Sequence, residues 1–553
     1  MGSKQEARDI LLTCALPYAN GPIHLGHLLE HIQADIWSRY QKLQNHNVYF
    51  ICADDTHGTA IMLKAESLGI TPEKLIHNIH ADHTQDLAKF NIDFNYYGST
   101  NSETNKKLSQ SVFIELDKKG YIAKRDIEQF YDPEKEMFLA DRFIKGECPK
   151  CHAKDQYGDN CEVCAATYSP VDLINPYSVV TGATPIQQVS EHLFFDLPKL
   201  DLFLKDWVKS GTLQEEVLNK MNEWLTSGLK QWDISRDAPY FGFVIPGYTD
   251  KYFYVWVDAP VAYYSSFLEY GKSKGLDFSD KLKSDSSLEV NHFIGKDIVY
   301  FHSLFWPAML YGSNLKTPSH IWAHGYITIN GAKMSKSKGT FIQAKTFSKM
   351  LDTDLLRYYY ASKLTSKIED IDLNLEDFVN KVNSDLVNKI INLAARNVKF
   401  ITERFNNTLS SSLADQDLFN RFISYKDEIN SLYESREYSK VVRIIAFLAD
   451  EANKYIDAKA PWVLAKNEDT LKDLHLVASM GIELFKVIFT YLKPIVPNLT
   501  VKAENFLNLK LSFDNLENKM LSHKINNFVP MMKRLTAKDI EDLISQAKLD
   551  NAN

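Results

Sequence analysis

Two histidines three residues apart, His24 and His27, stand where the sequence predicts the start of a helix. Residues at this spacing share one helix face, so both imidazoles project in the same direction. A helix N-terminus favours anions, and two imidazoles there add donors for phosphate oxygens. Gly26 has no side chain, which lets a flat base approach the backbone. The His-x-x-His pattern also arises by chance, but its position after a buried strand favours nucleotide binding.

A second group that could take part in chemistry is the run Lys-Met-Ser-Lys-Ser at residues 333–337, between two glycines. Such a run is most often a solvated loop. Phosphoryl chemistry, however, uses mobile cations that close on a triphosphate when substrate is present. Because the run follows a strand-like stretch at residues 324–329, we expect it at a sheet edge. Lys333 and Lys336 are therefore candidate phosphate ligands.

Four of the six cysteines form two Cys-x-x-Cys pairs, Cys148 with Cys151 and Cys161 with Cys164. Two such turns at short separation can present four thiolates as a tetrahedron, which is typical of a closed structural zinc site. The alternative is two reduced pairs without metal, and His152 is a poor substitute ligand because it adjoins Cys151. We predict one structural zinc ion per chain, with no catalytic role.

The elements around these groups have the pattern of a parallel α/β sheet. Residues 10–16 and 48–53 are continuous apolar runs, as in strands buried on both faces. A helix is predicted between them at about 24–43. The second run ends at Asp55, and ligands of open α/β sheets bind beyond the carboxyl ends of strands. The helix prediction rests on apolar residues at helical spacing: Leu25, Leu28, Ile32, Ile36 and Tyr40.

Along the rest of the chain the sequence pattern changes twice. Residues 119–248 hold the cysteine pairs and many short strand-like pieces, which indicates an insertion. The α/β pattern returns at 252–264 and 290–294, and from about Phe378 the chain is strongly helical. Residues 549–553 have the pattern of a frayed tail. The predicted fold is α/β: a Rossmann-like doubly wound parallel sheet with an inserted zinc-knuckle connective domain and a C-terminal α-helical bundle.

Composition sets weaker limits on location and partners. The net charge of −8 neither supports nor excludes RNA binding, which needs only a local basic patch. We expect no apolar run of bilayer-spanning length, and the first residues lack the apolar segment of a signal peptide. Paired thiols suit a reducing compartment. We therefore expect a cytoplasmic protein without a membrane partner.

Together, His-Leu-Gly-His at 24–27 and the run at 333–337 resemble the two hallmarks of class I aminoacyl-tRNA synthetases. Blocks at 14–21, 50–55, 252–260 and 293–310 are similar to the zinc-containing bacterial type of the methionyl-tRNA synthetase family. This resemblance implies a methionine–tRNA ligase. Such an enzyme activates L-methionine with ATP to methionyl-adenylate and pyrophosphate. It then transfers methionine to the 3′ end of initiator and elongator tRNA(Met).

The resemblance also implies roles for individual residues. Asp55 would hold the substrate ammonium, inside a methionine pocket walled by Leu16, Tyr18, Trp256, Ala259, Pro260, Tyr263, Ile298 and His302. A thioether is apolar and polarizable, which suits an aromatic slot. The implied ATP-binding residues are His24, Gly26, His27, Gly295, Asp297 and Lys336, and the implied catalytic residues are His24, His27, Lys333 and Lys336. Without the resemblance, Asp297 fits an ordinary helix N-cap and each aromatic fits core packing.

For the tRNA, the resemblance implies that Asn392, Arg396 and Trp462 recognise the anticodon. It further implies Mg²⁺ with ATP, and a monomer is expected. The expected domains are 1–118 and 249–332 (the two halves of the Rossmann domain), 119–248 (the insertion, with its knuckle at about 146–166), 333–385 (the loop and stem-contact region) and 386–550 (the anticodon-binding bundle). The insertion is too small for the hydrolytic editing domain of related ligases.

Two other functions fit parts of the sequence. A small nucleotidyltransferase can share the His-x-Gly-His element, but the long helical region and the 333–337 run argue against it. A catalytically inactive tRNA-binding relative should have lost some of the histidines, the loop lysines or Asp55. All of them are present.

Overall fold

A parallel sheet forms the centre of the N-terminal region. The computed structural model describes residues 7–552 except 140–142, 159–160, 162, 165, 167, 169 and 335–338. Its strands are β1 (Asp9–Cys14), β2 (Asn47–Asp54), β3 (Tyr96–Ser99), β4 (Ile122–Asp132), β5 (Met137–Phe138), β6 (Ile144–Glu147), β7 (Gln156–Tyr157), β8 (Ile174–Ser178), β9 (Ile186–Phe195), β10 (Trp232–Asp233), β11 (Ser235–Asp237), β12 (Lys251–Phe253), β13 (Glu289–Gly295), β14 (His320–His324), β15 (Ile327–Ile329) and β16 (Ile371–Leu373).

Helices cover the sheet and form the C-terminal region. They are α1 (Leu25–Leu43), α2 (Thr59–Ser67), α3 (Pro72–Lys89), α4 (Glu103–Lys118), α5 (Asp201–Trp207), α6 (Glu215–Ser227), α7 (Val255–Asp258), α8 (Val261–Ser273), α9 (Trp306–Gly312), α10 (Ala344–Met350), α11 (Thr353–Lys363), α12 (Leu375–Val382), α13 (Asn392–Phe405), α14 (Gln416–Ile423), α15 (Lys426–Glu434), α16 (Tyr438–Lys459), α17 (Pro461–Leu464), α18 (Leu471–Leu492), α19 (Pro497–Leu507) and α20 (Ala537–Ala552).

The central sheet has the order β14-β13-β1-β2-β3, and all its neighbouring strands are parallel. Alternate residues of β1 enter different cores: Ile10 and Leu12 pack on one face, and Leu11 packs on the other. This explains the continuous apolar run, because β1 is buried on both faces from Ile10 onward. The predicted doubly wound α/β fold is confirmed, and the carboxyl ends of β1, β2, β13 and β14 meet at one edge.

A buried ion pair joins α1 to the helices that follow the sheet. Asp35 on α1 accepts a hydrogen bond from Arg357 on α11 at 2.6 Å, and both side chains are fully buried. Arg357 also donates to the carbonyl of Ile495 at 2.8 Å and to that of Phe90 at 3.1 Å. These bonds satisfy the guanidinium, as a buried charge requires. The first helix is therefore fixed to the C-terminal region as well as to the sheet.

The inserted region contains antiparallel sheets together with the helices α5 and α6. β4 and β9 pair along most of their lengths, flanked by β5 and β10. β6 lies between β7 and β8 in a smaller sheet. The small sheet has only a small core, which includes Phe143, Ile144 and Leu173. A module with so few buried apolar side chains needs another source of stability.

One helix corrects an expectation drawn from the sequence. The segment 468–492, which contains α18, is long and apolar enough to span a membrane, with a mean hydropathy of 1.4 in its most apolar window. That window is 89% buried within the protein. The expectation that no run approaches this length was wrong, because residues 477–492 of α18 are buried on every side and are therefore mostly apolar. It packs against α13 and α16 as the central helix of the bundle.

Two further segments differ from the prediction. The strand expected at 324–329 is two strands in different sheets: β14 ends at His324 and β15 pairs with β16. The break is at Gly325, where a Cβ would lie 2.2 Å from the carbonyl oxygen of Glu369. Residues 549–552, expected to fray, end α20, where Asn551 donates to the carbonyl of Phe341 at 2.7 Å.

Candidate active site and metal centre

A cavity of about 1070 Å³ opens where the strands of the parallel sheet end. Residues that follow or end β1, β2, β13 and β14 line it, as expected for an open α/β sheet. The cavity contains all nine residues predicted for the methionine pocket: Leu16, Tyr18, Asp55, Trp256, Ala259, Pro260, Tyr263, Ile298 and His302. It also contains His24, Gly26, His27, Gly295, Asp297 and Lys333. Lys336, the remaining predicted ligand, lies outside the described residues.

His24 and His27 form a hydrogen-bonded cap at the start of α1. Nδ1 of His24 accepts from the backbone N–H of Gly26 at 3.0 Å, and Nδ1 of His27 accepts from the N–H of His24 at 3.3 Å. The two rings stack with their centroids 3.8 Å apart. Because each Nδ1 is an acceptor, the ring proton of each neutral imidazole is on Nε2. Each ring is left with one N–H donor at the helix N-terminus.

Both imidazoles are held in the neutral form. Burial lowers the pKa of His24 to about 4, and burial also lowers the pKa of His27 well below its usual value. At neutral pH the pair is therefore a set of two aligned N–H donors rather than two cations. The positive end of the helix dipole adds to the attraction for an anion placed there.

The backbone at Gly26 is in close contact with the opposite wall of the cavity. A Cβ at Gly26 would lie 2.8 Å from the His24 ring and 3.0 Å from Cε of Met334. Phe341 meets His24 edge-on, with ring centroids 5.0 Å apart. Met334 and Phe341, which lie on either side of the 335–338 segment in the chain, therefore flank the helix N-terminus. Glycine at position 26 is required by this close approach.

A buried acid with one oxygen unpaired among the described residues lies at the other end of the cavity. Asp55 follows β2, and its Oδ1 is buried with no hydrogen-bond partner among the described residues. Asp258 lies nearby; its Oδ2 is bonded to Nδ1 of His57 at 2.6 Å, and its Oδ1 also lacks a partner in the described part of the chain. Burial, and then the charge of Asp258, raise the pKa of Asp55 well above its ordinary value. This pair of carboxyl groups is suited to a cation.

An aromatic slot adjoins the two acids. Nδ1 of His302 bonds to the carbonyl of Ile298 at 3.1 Å, so this nitrogen carries the proton. Nε2 of His302 then accepts from the hydroxyl of Tyr263 at 3.0 Å. Burial lowers the pKa of His302 to about 4, which keeps the ring neutral. The Tyr263 hydroxyl donates its proton to His302, and His302 donates its own to the Ile298 carbonyl. Neither proton is left for a ligand, so the slot holds a side chain mainly by apolar contact.

Sequence reasoning missed a buried acid that supports the cavity floor. Oε1 of Glu30 accepts from the N–H of Ala15 at 2.6 Å, and Oε2 meets Nε2 of His324 at 3.1 Å. Glu30 and His324 both line the cavity. The available signals were weak: His324 ends a strand beside Gly295 of β13, and Glu30 lies three residues after His27 on α1.

Asp297 does not act as the helix N-cap that its sequence position allows. It lies inside a short 3₁₀ turn, Lys296–Ile298, whose N-cap is Gly295. A Cβ at Gly295 would lie 2.5 Å from Oδ1 of Asp297, so the carboxylate folds back over the end of β13. This leaves an exposed acceptor at the mouth of the cavity, where a hydroxyl-bearing ligand can donate to it.

The four paired cysteines meet in the small sheet of the insertion. Their sulfur atoms lie within 4.8 Å of one another, and none of them forms a disulfide. Backbone N–H groups donate to the sulfurs of Cys148 and Cys161 at 3.3–3.5 Å. Burial raises the pKa of Cys148, but N–H bonds from Cys151 and Lys150 outweigh it and leave a pKa of about 6. The four sulfurs can hold a metal ion, and His152 is not part of the group.

The residues predicted to recognise an anticodon lie on the helical region. Asn392 is exposed at the start of α13, one turn before Arg396. The guanidinium of Arg396 lies 5.1 Å from the ring centre of Trp462 and is paired with Asp457 at 2.5 Å. Trp462 is 42% exposed on α17, so its ring is a half-covered platform beside a cation.

Comparison with known proteins agrees with this architecture. The family described as "tRNA synthetases class I (M)" matches residues 10–398. The chain is similar to the structure of Mycobacterium tuberculosis methionyl-tRNA synthetase in complex with methionyl-adenylate, with 21% identity and a TM-score of 0.78 over 96% of this chain and 100% of that one. The apo form of the same mycobacterial enzyme gives 19% identity and a TM-score of 0.72 over 97% and 100%.

The structural similarities show the same fold over almost the whole chain. The family match covers well over half of the 553 residues, including the parallel sheet, the insertion and both ends of the cavity. The chain therefore belongs to the class I tRNA synthetases of the methionyl branch, the methionine–tRNA ligases.

Proposed function

We propose that this chain activates L-methionine with ATP and transfers the methionyl group to tRNA(Met), initiator and elongator. The observation that carries the proposal is one cavity that joins three features: a buried carboxyl group with one oxygen unpaired among the described residues, an aromatic slot, and a helix N-terminus with two N–H donors. These three features match the ammonium, the thioether and the phosphates of the two substrates. The family match and the similarity to a synthetase bound to methionyl-adenylate support the same function.

At the amino-acid end, Asp55 pairs with the ammonium of methionine. Burial disfavours the ionised form of Asp55 in the ligand-free protein, and the ammonium of methionine stabilises that form by supplying an opposite charge. The thioether enters the slot beside Tyr263 and His302, where aromatic edges favour a polarizable sulfur. Substrate binding therefore orients the methionine carboxylate toward the helix N-terminus, which lies in the same cavity.

At the nucleotide end, His24 and His27 donate to phosphate oxygens, and Asp297 accepts from a ribose hydroxyl. The methionine carboxylate attacks the α-phosphate in line, and charge moves onto the departing pyrophosphate. Lys333, with Lys336 in the adjoining segment, neutralises that charge. Mg²⁺ bound with ATP supplies further neutralisation of the phosphates. The 2′-hydroxyl of the terminal adenosine of tRNA then attacks the activated carbonyl and loses its proton; the bond between that carbonyl carbon and the phosphate oxygen breaks, and AMP leaves.

The test is ATP–pyrophosphate exchange measured with each of the proteinogenic amino acids in turn. The proposal expects exchange that depends on methionine, followed by charging of tRNA(Met) in the presence of the complete system. Exchange with another amino acid would contradict the assigned substrate. A total lack of exchange together with retained tRNA binding would favour the inactive tRNA-binding relative.

Tyr263→Phe tests the slot directly. The change leaves Nε2 of His302 without a donor inside a buried site, which costs about 1–3 kcal/mol. We expect the KM for methionine to rise about five- to a hundredfold while the KM for ATP stays within twofold, both measured by pyrophosphate exchange. Tyr264→Phe is the matched control, because the Tyr264 hydroxyl bonds to the carbonyl of Lys316, away from the cavity. An unchanged KM for methionine in the Tyr263 variant would argue against this pocket.

For the four sulfurs we propose one zinc ion per chain. Four thiolates with N–H donors around them fit a closed structural site, which would supply folding energy rather than chemistry. The ion would be held by Cys148, Cys151, Cys161 and Cys164.

We further propose that the helical region reads the anticodon through Asn392, Arg396 and Trp462. An exposed tryptophan can stack a splayed base, while Arg and Asn hydrogen-bond to base edges. The proposed domains are 1–118 and 249–332 for the Rossmann halves, 119–248 for the insertion, 333–385 for the stem contact and 386–550 for the anticodon bundle. We also propose that the protein is a monomer and acts in the cytoplasm.

Trp462→Ala is expected to separate the two steps of the reaction. Stacking of one base on an aromatic ring contributes about 1–3 kcal/mol, so kcat/KM for tRNA charging should fall about five- to a hundredfold. Methionine-dependent pyrophosphate exchange should not change, because Trp462 lies outside the cavity. The control is Phe447→Ala, which removes another exposed aromatic, on α16. Equal charging by wild type and the Trp462 variant would contradict the anticodon assignment.

A further inference from the structure

A buried histidine outside the cavity wall connects the sheet to the turn before His24. Nδ1 of His83, on α3, lies 2.6 Å from Oδ1 of Asp54, the last residue of β2. Its Nε2 lies 2.7 Å from the backbone carbonyl oxygen of Gly21. The His83 side chain is only 1% exposed. This one ring therefore connects a strand end to a turn that lies 62 residues earlier in the chain.

The two bonds define the protonation of the ring. A carbonyl oxygen carries no proton, and Asp54 is ionised because three donors surround its two oxygens: His83, His80 at 2.8 Å and the Tyr97 hydroxyl at 2.6 Å. Both ring nitrogens of His83 must then donate, so the side chain is an imidazolium. Burial opposes the charge, but the bond to Asp54 outweighs it and raises the pKa of His83.

The turn that His83 holds leads straight into the helix cap. Gly21 lies three residues before His24, and the carbonyl of Ile23 accepts from the N–H of Ala344 at 2.8 Å. At the other side of the turn, the N–H of Ala19 donates to the carbonyl of Asp55 at 2.7 Å. Alongside the bond that Lys64 donates to the carbonyl of Asn20, the bond at Gly21 holds the turn between these two points. Its loss would free the turn to move, and the cap would move with it.

We propose that His83 is a positioning residue for adenylate formation, which holds the 19–23 turn so that His24 and His27 face the triphosphate. The inference rests on the proposed function, because it assigns those two histidines to phosphate binding. His83 itself touches neither substrate. Displacement of a reacting group by about 1 Å can lower a rate by two orders of magnitude, so a remote bond of this kind has a measurable effect.

His83→Gln and His80→Gln form a matched pair of variants. Both remove an imidazole that bonds to Asp54, but only His83 reaches the turn, and His80 is 36% exposed. We expect His83→Gln to lower kcat/KM for ATP about ten- to a hundredfold in methionine-dependent pyrophosphate exchange, with the KM for methionine within twofold of wild type. His80→Gln should stay within about threefold in every parameter. His83→Lys restores a positive charge with several donors, so its kcat/KM for ATP should be higher than that of His83→Gln.

The outcomes separate positioning from general destabilisation. Equal kinetics for the His83→Gln and His80→Gln variants would overturn the inference, and so would a parallel rise in the KM values for ATP and methionine. If kcat/KM for ATP is no higher in His83→Lys than in His83→Gln, the positive charge of His83 is not the cause of the rate effect. A wild-type chain that lacks methionine-dependent exchange would instead contradict the proposed function, before any variant is compared.

Discussion

Asp55→Asn is expected to lower kcat/KM for methionine by about a hundredfold or more in pyrophosphate exchange. The carboxylate Oδ1 has no partner in the described part of the chain, and the ammonium of methionine would become its ion-pair partner. Removal of one member of a buried ion pair costs about 3–5 kcal/mol. Most of the loss should appear in the KM for methionine, because the contact exists before the reaction starts. An unchanged KM would remove Asp55 from the site.

The same substitution is expected to raise the melting temperature of the ligand-free protein at neutral pH. Burial and Asp258 raise the pKa of Asp55, so the folded state holds a proton that the unfolded state releases. Stability therefore falls as the pH rises above the unfolded pKa of about 3.9, and an uncharged amide at this position avoids this loss. In thermal unfolding measured from about pH 4 to 8, the melting temperature of the variant should exceed that of wild type by an amount that grows with pH.

Asp54→Asn is the matched control, because Asp54 is the neighbour of Asp55 in an opposite environment. Burial raises the pKa of Asp54, but bonds from His80 and His83 outweigh it and lower the pKa overall. This acid stabilises the fold above its unfolded pKa, and the stabilisation is lost as the pH falls through its folded value. Asp54→Asn should lower the melting temperature at neutral pH. The same Asp-to-Asn substitution should therefore change the melting temperature in opposite directions at these two adjacent positions.

Cys161→Ser is expected to remove the metal from the insertion and to unfold the small sheet around it. Structural zinc contributes about 10–16 kcal/mol in small zinc-binding peptides, far more than the small core of this module can replace. Metal analysis should change from about one zinc per chain to none. Limited proteolysis should then cleave the chain within residues 143–180.

Methionine activation should survive in the same variant to within about tenfold, since none of the described residues within 143–180 lines the cavity. Cys52→Ser is the control, because Cys52 is buried in β2 and lies far from the four sulfurs in sequence and in sheet. That variant should keep its zinc. Retention of metal by Cys161→Ser would refute the four-sulfur site, and complete loss of exchange would refute a purely structural role.

Local sequence patterns predicted the framework of the molecule well. Residues 10–16 and 48–53 have no polar face, and a strand covered on both sides accounts for such runs. The helix after the first strand was predicted from its spacing and begins within one residue of the expected position. The cysteine spacing was sufficient for the metal group, because two short turns bring their own sulfurs together. These predictions needed no information about distant contacts.

Predictions failed where distant residues determine the outcome. The bond between His83 and Gly21, and the bond between His57 and Asp258, join positions 62 and 201 residues apart. No spacing rule reveals such pairs. The helical end of the chain was mistaken for a tail because the partner of Asn551, the carbonyl of Phe341, lies 210 residues earlier. The pocket residues themselves were predicted from the family resemblance, since an isolated tyrosine or tryptophan has the same appearance as core packing.

His24 has two tasks that most substitutions cannot alter separately. Its ring caps α1 through Nδ1 and, on our proposal, offers Nε2 to phosphate. Loss of a cap alone costs a helix about 0.5–2 kcal/mol, so most replacements would weaken folding as well as catalysis. Asparagine is an exception, because it can cap the helix without supplying the imidazole. A lineage that abandons catalysis but keeps the fold would therefore be expected to carry asparagine or another capping residue at this position.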